Sequence, residues 1–69
     1  MMRTPVASSA LASIGYDPRT LTLEVEFTNG SVHQYFDVPD TEQRNLLAAE
    51  SIGAYFNRFI RDNYRSTPL

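Results

Sequence analysis

Between Thr20 and Phe27, apolar and polar side chains take strict turns: Leu21, Leu23, Val25 and Phe27 alternate with Thr20, Thr22, Glu24 and Glu26. Successive side chains of a strand point to opposite faces, so one face is apolar and the other charged, and such a strand rests on a core with its back to water. Asn29-Gly30 comes next, a pair suited to the positive φ angles of a tight hairpin. A second run extends from Ser31 to Asp37 and ends at Val38-Pro39, because proline has no N–H for a ladder. Two registers are open. A two-residue turn at Asn29-Gly30 sets Phe27 against Val32, Val25 against Gln34 and Leu23 against Phe36. It leaves His33 and Tyr35 on the outer face, opposite Glu26 and Glu24. A three-residue loop, Thr28-Asn29-Gly30 with a bulge at Gly30, flips the parity and moves His33 and Tyr35 into the core. The two-residue turn places more apolar residues inside and is the favoured reading.

Before this hairpin, Leu11, Ile14 and Tyr16 mark a short strand over Ala10–Tyr16, although without clean alternation. Gly15 to Arg19 reads as a turn, with Pro18 fixing φ at its first corner and Asp17 free to bond the backbone beyond. After Pro39, Asp40 or Thr41 is placed to cap a helix. Asp40 and Gln43 have capping-box spacing, and Glu42 suits the positive helix end. Leu46 and Leu47 carry this helix to Ser51, Gly53 allows a bend, and Ser51 is placed to cap a second helix. In that last helix, Ile52–Tyr64, the residues Ile52, Tyr55, Phe56, Phe59 and Ile60 form one apolar stripe. Arg58, Arg61 and Arg65 fall within about 60° of each other on the opposite side. The expected fold is therefore α+β: a three-stranded antiparallel meander packed against two C-terminal helices. It forms one domain over residues 1–69, with loose ends at 1–5 and 66–69.

Composition narrows the chemistry. A chain of 69 residues buries only about 60% of its unfolded surface. It has no cysteine, so neither a disulfide nor a thiolate zinc site reinforces the core. Self-association or attachment to a larger protein would be a natural supplement. The net charge is -2 and all six basic residues are arginine. Global charge thus makes no case for nucleic acid, while the planar guanidinium suits phosphates and carboxylates. There is no apolar run of the ~20 residues that span a bilayer and no signal-peptide pattern. A cytoplasmic location is the expectation. Catalysis is not expected: there is one histidine, no nucleophile elbow and no phosphate-binding glycine loop. Glu24 and Glu26 would lie roughly 7 Å apart on one strand face, but on an open strand without a pocket they read as solvated charges. With His33 they offer too few certain ligands for a metal. No cofactor is expected.

Several residues together resemble one family. They are Val6, Ser8-Ser9, Ile14-Gly15-Tyr16-Asp17, the Leu23, Val25 and Phe27 strand, Gly30, Tyr35, Val38-Pro39, Ala49, Ser51, Gly53, Tyr55-Phe56-Asn57, Ile60-Arg61 and Tyr64. In order and spacing they resemble the KTSC domain, a small domain found alone in bacteria and at the C-terminus of some lysyl-tRNA synthetases. The family's central Tyr-x-Tyr falls on His33-Gln34-Tyr35, with histidine in place of the first tyrosine. The resemblance implies an accessory module that binds tRNA or single-stranded RNA. The residues expected to do so are His33 and Tyr35 as a stacking platform, with Asn57, Arg58, Arg61 and Arg65 on phosphates. Each has a plainer reading: a solvated helix face for the arginines, cross-strand packing for Tyr35, and pairing with Glu26 for His33. In the favoured register Glu24 and Glu26 would also flank the platform and repel phosphate. The competing function is a protein-interaction or self-association module with no nucleic-acid role, using an exposed sheet edge and an apolar patch of Ile14, Tyr16, Phe36 and Tyr64.

Overall fold

The computed structural model describes all residues from Met1 to Leu69. Five antiparallel strands form one sheet in the order β1-β2-β3-β4-β5. They are β1 (Thr4–Pro5), β2 (Leu11–Asp17), β3 (Thr22–Phe27), β4 (Val32–Tyr35) and β5 (Ser66–Pro68). The helices are α1 (Asp40–Ala48) and α2 (Ile52–Tyr55), the latter continued by a π-helical segment, Phe56–Ile60. The expected meander is β2-β3-β4. The correction is a strand on each side: Thr4 and Pro5 pair with Ile14 and Ser13, and Ser66 to Pro68 pair with Tyr35 to His33. The ends expected to be loose are thus the two sheet edges, and the sheet has five strands rather than three.

The irregular pattern of β2 has a local cause. Leu11 pairs with Phe27 and Ser13 with Glu26, so Ala12 is an extra residue in a β-bulge. A bulge shifts side-chain parity by one. Leu11 and Ile14, three residues apart, therefore both enter the core.

The hairpin takes the three-residue loop, which corrects the favoured register. Glu26 pairs with Val32, Val25 with His33, Glu24 with Gln34 and Leu23 with Tyr35. A type I′ turn needs positive φ at both central residues. Here Gly30 has φ 91° while Asn29 is not among the positive-φ residues. Phe27 O accepts from Gly30 N–H at 2.9 Å, and Phe27 N–H donates to Ser31 O at 2.8 Å. The Asn29 carboxamide oxygen accepts the Ser31 N–H at 3.0 Å, closing the loop.

One face of the sheet carries the core. Leu11, Ile14, Leu23, Val25 and Tyr35 meet Val38, Leu46, Phe56 and Ile60. The other face is covered by the N-terminal arm. Glu24, expected to be solvated, is only 6% exposed. It accepts from Arg3 Nη1 at 2.7 Å and from Gln34 Nε2 at 2.9 Å. Its pKa is lowered, chiefly by the Gln34 hydrogen bond and further by Arg3, against the opposing effect of burial. Gly15 lets the arm lie flat, since a Cβ there would sit 2.7 Å from Met2 O.

The helix start also differs from expectation. Pro39 is the N-cap and no side chain caps α1, so the Asp40–Gln43 box does not form. Pro39 O instead accepts from Glu42 N–H at 3.0 Å. Ser51 caps α2 as expected, accepting the Ala54 N–H at 3.2 Å. The last helix ends at Ile60 rather than near Tyr64. Arg61 N–H bonds back to Phe56 O at 2.9 Å, a five-residue closure. A π turn spreads over more residues than an α turn. Phe59 therefore falls short of Phe56's direction by more than the about 60° of an α-helix. Phe56 and Ile60 stay buried while Phe59 is 43% exposed.

Two clasps hold these layers. Glu42 accepts from the hydroxyls of both Tyr55 and Tyr64, tying α1 to α2 and to the chain leading into β5. Tyr16 donates to Val38 O at 2.6 Å. No helix is long and apolar enough to cross a membrane.

Candidate nucleic-acid interface

Strand β4 positions the first two candidates. His33 stands opposite Val25 with its ring edge-on to Phe27, centroids 5.3 Å apart. It does not pair with Glu26, which instead accepts from Ser13 Oγ at 2.8 Å on the other face. Tyr35 is 3% exposed and meets the Phe56 ring edge-on at 5.3 Å. Its ring is a core element, so the open stacking platform expected of Tyr35 is not present. Burial raises its pKa above the usual phenol value, while Arg61 acts in the opposite direction and Asp62 adds to the rise.

The π-helical segment positions the next group. Arg61, just past its end, donates from Nη1 to Asn57 Oδ1 at 3.1 Å. That bond fixes the direction of the guanidinium. Arg58 lies over the Phe59 ring at 5.4 Å, a cation–π contact at an exposed site. Arg65 is off the helix altogether. Its carbonyl accepts from Phe36 N–H at 2.9 Å, its guanidinium lies 5.5 Å from the Phe36 ring, and Asp37 is 3.8 Å away. The single stripe of three arginines therefore does not exist, because the helix that would align them stops at Ile60.

The structure brings three of the six candidates together. His33, Tyr35 and Arg61 line one open cleft of about 380 Å³ between the β3–β4 hairpin and the π-helical segment. Phe27 and Ala10 complete its floor, and Thr28, Asn29 and Ser31 form its rim. Asn57 is linked to it through Arg61 and lines a separate cleft with Ser8, Ser51 and Gly53. Arg58 and Arg65 lie outside it. No carboxylate lines the cleft. The two glutamates expected to repel phosphate are on the opposite sheet face, a consequence of the same change of parity.

The loop residues Thr28, Asn29 and Ser31 are not among the sequence candidates. Their signal is the loop length: once Thr28 belongs to the loop, the hairpin tip becomes the rim of whatever His33 and Tyr35 face. Phe59 belongs by spacing to the core stripe, and no spacing rule reveals the π turn that exposes it.

Comparison with known proteins adds the lineage. The model of the KTSC domain matches residues 7–64. A protein of Tsukamurella paurometabola is 40% identical over 65 residues, spanning 94% of this chain and 97% of that one. A lysine–tRNA ligase of Nostoc punctiforme is 39% identical over 61 residues. That match takes in 88% of this chain and only 11% of the ligase. Among solved structures, a KTSC domain protein from Yersinia pestis superposes with a TM-score of 0.93 at 36% identity, covering 99% of this chain and 96% of that one.

Proposed function

The chain belongs to the KTSC domain family, and from that premise we propose that it is a non-catalytic accessory module that binds single-stranded RNA or tRNA. The observation that carries the reading is the shared cleft of His33, Tyr35 and Arg61 with no carboxylate in its lining. A fixed guanidinium offers paired donors to a phosphate. The half-buried His33 and Phe27 rings beside it offer surface to an unstacked base. Arg58, three residues earlier and within the π-helical segment, extends the basic surface. The tRNA context comes from the relatives: a protein that joins lysine to tRNA carries a stretch of this kind.

The sheet edges speak against the self-association alternative in its simplest form. β1 has two residues and includes Pro5, and β5 has three and includes Pro68. Short edges with proline are poor templates for adding a strand.

The test is titration of labelled single-stranded RNA and of tRNA at low and moderate salt. Two phosphate contacts give a slope of log K against log salt of about -1.4 for single strands. Arg58→Gln with Arg61→Gln lowers affinity by roughly tenfold or more. Absence of binding at low salt, or binding indifferent to both substitutions, removes the proposal.

A further inference from the structure

The cleft beside the hairpin is small enough to take one small unit of a ligand. Its volume, about 380 Å³, falls in the range of small-ligand sites. Its floor is aromatic, with His33 and Phe27 ring centroids 5.3 Å apart and His33 and Tyr35 centroids 6.5 Å apart. Arg61 is its one formally charged residue. On the rim, the Asn29 carboxamide oxygen accepts from both the N–H and the hydroxyl of Ser31, at 3.0 and 2.7 Å. The Asn29 NH2 group is left as a donor without a partner in the chain.

Tyr35 supplies the independent observation. The other three tyrosines each donate to an oxygen: Tyr16 to Val38 O, and Tyr55 and Tyr64 to Glu42. Tyr35 is 3% exposed, yet its hydroxyl bonds to nothing in the chain. A sealed, unpaired hydroxyl would be costly, and no polar side-chain atom of the chain is both sealed and unpaired. The hydroxyl therefore opens on the cleft that the residue lines. One fixed cation, an unused hydroxyl and an unused amide surround a floor of rings. Together they match a ligand with one compact anionic group and one planar ring.

We propose that this cleft receives a single unstacked nucleotide, its phosphate on the Arg61 guanidinium and the Tyr35 hydroxyl and its base against His33 and Phe27. The proposal rests on the reading of the domain as RNA-binding and names the unit it takes. A free nucleoside monophosphate is then sufficient to fill the cleft. Inorganic phosphate lacks the ring, and a nucleoside lacks the anion.

The experiment is an amide chemical-shift titration of the folded chain with AMP, CMP, inorganic phosphate and adenosine, run beside the RNA titration. The expected result is saturable shifts from AMP or CMP centred on Phe27 to Tyr35 and on Arg61, with phosphate and adenosine weaker by roughly tenfold or more. Arg61→Gln weakens the monophosphate by roughly tenfold, and Tyr35→Phe by several-fold, with both variants melting near wild type. No shifts at millimolar monophosphate, shifts centred elsewhere, equal response to inorganic phosphate, or indifference to both substitutions each overturn the proposal. The two readings separate cleanly. RNA binding that survives Arg61→Gln, with no monophosphate response, keeps the RNA reading and removes the pocket. Monophosphate binding in the cleft without any oligonucleotide binding keeps the pocket and removes the RNA reading.

Discussion

Replacing Glu42 with alanine removes one carboxylate and releases two tyrosine hydroxyls at once. Glu42 Oε2 accepts from Tyr64 at 2.8 Å and Oε1 accepts from Tyr55. These are the side-chain bonds that tie α1 to the segments on its C-terminal side. Hydrogen bonds to a charged group contribute about 1.5–3 kcal/mol each when well buried. Glu42, Tyr55 and Tyr64 are all half-buried, so the lower end applies and partial access to water softens the loss. The expected cost is about 2–3 kcal/mol for the pair. A domain of this size has roughly 3–10 kcal/mol in total, and each 1 kcal/mol moves the melting temperature by about 4–8 °C. Glu42→Ala should therefore melt roughly 10–20 °C below wild type by circular dichroism at neutral pH. A double-mutant cycle with Tyr64→Phe isolates the coupling, expected at about 1 kcal/mol or more. A single-variant loss below about 0.5 kcal/mol, the level of ordinary surface changes, would refute the idea that this clasp holds the layers.

The same clasp sets an alkaline limit. The pKa of Tyr64 is pushed up to about 12, first by burial and then by the Glu42 hydrogen bond and charge. Tyr55 is raised first by its bond to Glu42. A folded pKa above the unfolded value means the unfolded chain releases its proton first. The stabilisation is thus complete below the ordinary tyrosine value near 10 and fades as pH rises toward 12. Glu42→Ala should flatten this alkaline decline as well as lower the plateau.

Further predictions concern the hairpin, the arm and the cleft. Gly30→Ala meets no neighbour within 4 Å but must hold φ 91°. It should cost about 1–2 kcal/mol from backbone strain alone, read as a fall in melting temperature. Gly15→Ala drives a methyl against Met2 O and should displace the arm, costing about 1–3 kcal/mol. Loss of the Arg3–Glu24 contact would be read from arginine side-chain NMR. The lowered pKa of Glu24 gives stability that is present above the ordinary carboxylate pKa and is lost as pH falls through the folded value. Glu24→Gln should remove that part of the acid transition in a pH titration of the melt. Tyr35→Phe removes a hydroxyl that bonds to nothing in the chain, so its melting temperature should stay within a few degrees of wild type. A large loss would mean that the hydroxyl is structural.

What the chain discloses about its fold depends on whether the deciding contacts are local. The alternation of β3 is carried by three consecutive pairs from Thr22 to Phe27 and is legible. The Ser51 cap is legible because its bond spans three residues. β1 and β5 are not, since Thr4-Pro5 and Ser66-Thr67-Pro68 are short and exposed, and only the neighbouring ladder makes them strands. Glu24 resembles every other solvated strand charge until Arg3, 21 residues away, is laid across it. The uneven spacing of Leu11, Ile14 and Tyr16 is visible in the sequence, but only the paired strand shows it to be the mark of a bulge at Ala12.

The site turns on one residue of loop length. Counting apolar side chains favours the two-residue turn because Val32 and Phe36 score as core while His33 and Tyr35 do not. That count neglects how a tyrosine behaves at a cleft: its ring meets Phe56 while its hydroxyl reaches the opening. It also neglects the alternative shelter for the displaced residues. Val32 lies opposite Glu26, and Phe36 is half-buried under the Arg65 guanidinium. The one-residue shift does two things together. It seats Tyr35 in the core and turns His33 toward Phe27 and Arg61, so both part from Glu24 and Glu26, which keep the far face, where Arg3 and Ser13 engage them. A cleft lined by one arginine and no carboxylate thus arises in an acidic chain, because parity sorts the cleft and the strand glutamates to opposite faces of one sheet. Any change that converts the loop to a two-residue turn should therefore abolish the cleft and set His33 and Tyr35 on the face of both glutamates, even where the fold survives. A Thr28-deleted chain that still melts cooperatively but retains the Arg61-dependent ligand response would show that this sorting is not what makes the site.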